Sequence, residues 1–431
     1  MSSSPVPRRS RLVRRVLACV LCLAAAAGIT VFSPSKAPLP LAASSDALSL
    51  KGLKRQSPQV QEWVDAVRSA TPEQVAEEWS ALPAEVRPHV TAALPVVAGN
   101  LDGLPYRVRD RLNRRALAQR LELMKKRNDE AARTAVKAYE AIAGALRPRS
   151  PRRYLMSLTG DLPPLAAISV GDPDAADMVT WQVPGMGTYS TDMKLWALAA
   201  QNVWDVQGTV GAPKKRAVIA WMGYTPPPPP PSIEASRGEY ARAGAPNLIR
   251  DMTGLASSRG TRDAPIVNVV AHSYGTTTAA NALARADLGV NAFVMLGSAG
   301  IETSIPRASD LHARAVYVSE ARKDGLAGWG RLSRTDPRAP RFGAIQFGSD
   351  GYAKQRLRAV TGHAPILHSA WNDKITSSVW TNIVNMVDRI AKYWQHRNSF
   401  GYLDRKTESL ANVASATAEP ATKRALTDVR R

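Results

Sequence analysis

The residues with the most chemistry to offer lie in VVAHSYGTTTAA, residues 269–280. An apolar run, PIVNVVA at 265–271, meets Ser273 and then a Thr/Ala segment of helical character. A serine between a strand and a helix, with small residues two before and two after it, fits the turn that lifts a nucleophile out of a sheet. The usual pattern is G-x-S-x-G; here Ala271 stands in the first glycine position and Gly275 in the second. Such a turn also presents the backbone N–H of Tyr274, at the start of the helix, to a developing oxyanion. An ordinary turn serine would have no such company, so the residues that must serve the hydroxyl decide the matter.

A serine needs a base, and in chains built around such a turn the order is Ser, acid, His. Of the later histidines, His312 precedes the next strand and His396 lies far along the last helical segment. That leaves TGHAPILHSAWND at 361–373. His368 is the preferred base because it lies in a polar loop shortly before the final helix; His363 is the alternative. His272 adjoins the serine, but consecutive side chains diverge there, so it reads as a packing or hydrogen-bonding residue. The acid should follow the penultimate strand. Asp324 in RKDG does so, with Glu320 and Asp336 as alternatives. Its carboxylate would fix the imidazole tautomer and stabilise the imidazolium. The second oxyanion donor is expected from the glycine-rich PGMGTYS at 184–190, with Gly185 and Met186 foremost and Gly187 beside them. That loop has no G-K-S/T and is not a phosphate cradle. H-E-x-x-H and G-x-G-x-x-G are both missing from the sequence, so neither a metal nor a nucleotide cofactor is expected.

These side chains need a frame. Strands are expected at 154–158, 166–170, 178–183, 217–222, 266–271, 292–296 and 315–319. Helices are expected at 194–206, 247–255 and 276–284, and a last one, capped by Ser377, carries Val379, Ile383, Val387 and Ile390 on one face. Strand–helix alternation with near-continuous apolar strands argues for an α/β fold, a mostly parallel sheet covered by helices on both faces. Before it, residues 58–150 read as a helical lead segment. TPEQVAEEW offers Thr71 as an N-cap and Pro72 at the first helical position, and one long helix is expected over 106–146. Six prolines at 226–231 form a stiff rod of about 19 Å at ~3.1 Å per residue, read as a rigid spacer.

The ends read differently. Arg8, Arg9, Arg11, Arg14 and Arg15 precede an apolar run at 16–32, so residues 1–33 are expected to be an export signal or a membrane anchor. A Pro/Ser/Ala-rich linker fills 34–57. The catalytic unit is expected over 151–400, and 401–431, polar and rich in Ala, Thr, Glu and Lys, is expected to be a disordered tail. Both cysteines, Cys19 and Cys22, lie in the apolar run, so no thiol chemistry is available beyond it. The formal net charge is +21. This favours anionic surroundings such as an envelope or membrane surface, while the sequence carries no nucleic-acid-binding motif.

The stretches EEWSALPAEVRPHVTAALPVVAGNLDGLPYRVRDRLNR, VGDPDAADMVTWQVPGMGT, WMGYTPP, VVAHSYGT and LHSAWND follow one another in this order. Together they resemble an actinobacterial α/β-hydrolase family of largely uncharacterised function, over roughly residues 75–387. The resemblance implies a Ser–Asp–His hydrolase with Ser273 in the nucleophile turn. It also supports His368, through the His-Ser pair of LHSAW, and maps Asp324 to the acid. Ala271 departs from the family's glycine. The expected activity is cleavage of carboxylic esters, with a small-molecule or lipid ester as substrate, no cofactor, and an extracytoplasmic location. The same site could serve an envelope acyltransferase, and a dead pocket would leave an envelope-binding scaffold.

Overall fold

The computed structural model describes residues 57–418, apart from 68–69, 94, 149, 230–233, 260–263, 332 and 369–398. The N-terminal apolar run and the helix expected after Ser377 lie outside the described residues. Eight strands form one sheet: β1 (Arg153–Leu158), β2 (Ala166–Val170), β3 (Met178–Val183), β4 (Arg216–Met222), β5 (Ile266–His272), β6 (Val290–Leu296), β7 (Ala313–Ser319) and β8 (Ile345–Gln346). Their order across the sheet is β1-β2-β4-β3-β5-β6-β7-β8. β2 is antiparallel to both its neighbours, and every pair from β4 to β8 is parallel. The seven expected strands are all present. The two-residue edge strand β8 was not expected, being too short to carry a periodic signal.

Alternate residues of each strand enter opposite layers, as the pleat requires. Leu155, Ile168, Val218, Val270 and Val294 join one core with the helices Tyr106–Lys125, Glu130–Ala145, Met193–Thr209 and Glu408–Ala418. Ala167, Val179, Trp181, Ile219, Val269 and Phe293 join the other with the helices Glu239–Ser258 and Gly275–Leu283. A third, smaller core around Trp63, Val64, Trp79 and Val90 holds the first helices of the lead segment together.

Two expectations are corrected. The single helix over 106–146 is two, because Asp129 accepts a hydrogen bond from the Ala132 amide and opens a new helix inside an unbroken apolar rhythm. The stretch after Phe400 is no disordered tail as far as residue 418. Tyr402, Leu403, Leu410 and Val413 are buried, and the helix Glu408–Ala418 is tied down by Gln207 to Thr417 Oγ1 (2.8 Å) and by Asn268 to Thr417 O (2.9 Å). Its Ser, Ala and Thr content suggests low hydrophobicity, yet small side chains are what let a helix press close to its neighbours.

Candidate active site

β5 ends at His272, the helix Gly275–Leu283 starts three residues later, and Ser273 occupies the bend. Its φ is +53°, in the left-handed region that costs a non-glycine residue roughly 1–3 kcal/mol. The bend survives because its surroundings fix it. The Ser273 amide donates to Leu296 O (2.9 Å), and Thr276 Oγ1 donates to Ser273 O (2.7 Å). Gly275 must be glycine, because a Cβ there would lie 2.4 Å from Val183 O and 2.5 Å from Pro184 O. Ala271, in place of the first glycine, is buried within the sheet, paired with Val183 and Met295.

The histidine that meets Ser273 is His363. Its Nε2 lies 2.8 Å from Ser273 Oγ, and its Nδ1 lies 2.9 and 2.8 Å from the two carboxylate oxygens of Asp324. Burial raises the Asp324 carboxyl, but the charge and hydrogen bond of His363, the Ala327 amide and the Tyr402 hydroxyl outweigh it and hold the group below its ordinary range. An ionised Asp324 can only accept. Nδ1 of a neutral His363 therefore carries the proton, and Nε2 is left to accept from the serine hydroxyl.

His368, the preferred base of the sequence reading, is elsewhere. Its amide donates to Asp404 (2.7 Å) and its ring stacks on Phe400, 4.5 Å between centroids. His363 and His368 share one polar loop, and spacing alone does not separate them. Pairing does: Thr361 N donates to Phe400 O, Tyr402 N to Ala364 O and Leu403 N to Pro365 O, which lays His363 against the sheet. Two of those partners, Tyr402 and Leu403, lie in the stretch expected to be a disordered tail. Asp324 is where the sequence put it. Glu320 is spent on Arg331 and Arg338, and Asp336 on Arg338 (3.1 Å).

Two supports went unassigned. Tyr402 donates to Asp324 Oδ2 (2.8 Å) and accepts from the Ala321 amide (3.0 Å); nothing in the sequence marks it. His272 Nε2 donates to the carbonyl of His363 (2.6 Å), the hydrogen-bonding role expected of it, though its partner was not foreseen. Burial, and then the nearby His363, push the His272 imidazole down to about 3.

The loop of Gly185 and Met186 passes directly against the serine: a Cβ on Gly185 would lie 2.7 Å from Ser273 Cβ and 3.2 Å from its Oγ. The Gly187 amide is committed to Pro227 O (3.0 Å), which removes it from the oxyanion candidates. Tyr274 is buried at the head of the helix, its hydroxyl accepting from the Ala241 amide (3.1 Å). Ser273 itself is only 3% exposed.

Residues 162–333 match the model of a family described as alpha/beta hydrolase. With the strand order above, that match decides the architecture. The fold is that of an α/β-hydrolase. Ser273 and Asp324 lie inside the matched stretch of the hydrolase unit and His363 beyond it. Two uncharacterised proteins of Mycobacterium tuberculosis, one from each of two strains, are 30% identical over 210 residues; the match covers 42% of this chain and 31% of theirs. Among solved structures, the chain is similar to esterase PE8 (12% identity, TM-score 0.33, covering 51% of this chain and 97% of that one). A Pyrobaculum calidifontis esterase is similar at 13% identity and TM-score 0.32, over 64% of this chain and 98% of that one.

Proposed function

We propose that this α/β-hydrolase is a serine hydrolase that cleaves carboxylic esters through an acyl-enzyme. The observation that carries the reading is the unbroken line from Ser273 Oγ through His363 to Asp324, every step at 2.8–2.9 Å. Ser273 attacks the ester carbonyl as His363 Nε2 takes its proton; His363 then returns the proton to the departing alcohol. Asp324 holds the tautomer and stabilises the imidazolium. The oxyanion falls to the amides of Tyr274 and of the Gly185–Met186 loop. Water, activated by the same imidazole, releases the acid. No step calls on a cofactor. The basic flank and apolar run of residues 1–33 support export, and so an ester in the envelope or at a membrane surface as substrate.

Hydrolysis of a panel of short and medium acyl esters tests this. Ser273→Ala and His363→Ala should each lower kcat/KM by ~10⁴–10⁶-fold, the usual cost of losing one member of such a unit. His368→Ala should stay within a few fold of wild type by about the same reasoning, since its ring lies outside the line. If His368→Ala abolishes turnover and His363→Ala does not, the assignment is wrong.

A further inference from the structure

The segment leaving β4 runs alongside residues 184–187 and grips them at both ends. Tyr224 Oη donates to Pro184 O (2.6 Å), and the Gly187 amide donates to Pro227 O (3.0 Å). Between these tethers lie Gly185 and Met186. The carbonyl of Pro184 and the amide of Gly185 belong to one peptide plane, so fixing the oxygen fixes the direction of the N–H. Tyr224 is itself immobilised. Its ring stacks on Trp221, with centroids 5.6 Å and planes 11° apart. The helix Glu239–Ser258 closes on it so tightly that a Cβ on Gly244 would lie 2.8 Å from the ring. Trp221 Nε1 donates to Asp251 (2.6 Å), and Asn247 Nδ2 holds Gly223 O (2.8 Å). The start of the proline run is thus no free spacer: Pro226 and Pro227 are buried, and the latter supplies the second tether.

We propose that Tyr224 is a positioning residue for the oxyanion loop: its hydroxyl, with the Pro227 carbonyl as second tether, holds the Gly185 and Met186 amides toward the carbon that Ser273 attacks. The inference rests on the ester-hydrolase reading and deepens it. Tyr224→Phe removes one oxygen and keeps the stacked ring. With a short acyl ester, kcat should fall by ~10–100-fold while KM stays nearly constant, in line with the cost of misplacing a reacting group by about 1 Å. A trifluoromethyl ketone, which forms an ionised adduct with the serine, should lose affinity by the same factor as kcat/KM. A folded Y224F with unchanged kcat and ketone affinity overturns the proposal, as does a rise in KM alone. If Y224F does not fold, Gly187→Ala carries the test. It places a side chain at φ +69° and strains the other tether; the same parallel loss is expected, and unchanged kinetics overturn the idea. Activity that survives Ser273→Ala would instead sink the hydrolase reading itself, so the two failures are distinct.

Discussion

His272 sits one residue from Ser273 and is held neutral by burial, with its proton on the nitrogen that faces the His363 carbonyl. In the unfolded chain the same imidazole takes a proton near its ordinary 6.5; folded, it resists until about pH 3. Between those values the unfolded state binds more protons, so stability falls as the solution is acidified through this window. Linkage puts the loss at about 2 kcal/mol at pH 5. Asp324 pulls the same way lower down: its depressed carboxyl contributes fully above 3.8, and the contribution is lost as pH falls through the folded value. His272→Gln keeps an N–H for the His363 carbonyl but cannot be protonated. Urea unfolding from pH 7 to 4 should therefore show a shallower acid loss in this variant; an identical slope would mean that His272 does not carry the effect. Ser273 and Asp324, the proposed nucleophile and acid, were both placeable at this scale because each follows a recognisable strand. The histidine that meets Ser273 was not, because two histidines five residues apart present the same local signal, and only long-range pairing with residues 400–403 chooses His363.

At the scale of elements, the site is where β3, β5 and β7 end. The helix after β5 presses on the loop after β3 with only glycine between them. Gly275→Ala would drive a methyl against Val183 O and Pro184 O, both backbone atoms that cannot swing aside. The helix and the loop must separate, and the Tyr274 amide moves away from the Gly185–Met186 loop. A fall in kcat/KM of about 10²-fold is expected from a shift of that kind, together with ~1–3 kcal/mol of lost stability from overpacking. Steady-state kinetics beside a denaturant midpoint measure both; near-wild-type turnover would show that the contact is not needed. Strand positions were readable because apolar runs of five to seven residues between turn signals have few other uses. The break at Asp129 was not, since a cap interrupts the backbone without interrupting the apolar period.

Across the whole molecule, the helices before β1 join the sheet and its helices through both packing and charge. The helices Tyr106–Lys125 and Glu130–Ala145 enter the main core. Asp102, from the turn GNLDGLP, pairs with Arg109 (2.8 Å) and reaches Arg250 (2.8 Å) on the helix Glu239–Ser258. Arg109 is 2% exposed and also donates to Gly99 O (3.2 Å). Asp102→Ala would strand that guanidinium in the interior, and breaking a buried pair from one side costs roughly 3–5 kcal/mol. Urea unfolding should show a loss of that size; a loss below about 1 kcal/mol, the worth of an exposed pair, would reduce this junction to a surface contact. The turn marked by the family resemblance is thus a junction between segments, and no chemistry is required to explain it.

The sequence by itself determined the sheet, the bend at Ser273, the place of Asp324 after its strand and the loop that faces them, because each is written in a few neighbouring residues whose sterics and periodicity act locally. The tertiary structure alone decided which histidine serves the serine, that Tyr402 and His272 buttress the pair, and that residues 402–418 belong to the core. Those outcomes depend on hydrogen bonds and packing between segments tens to hundreds of residues apart, and no local pattern encodes which distant partner will be met.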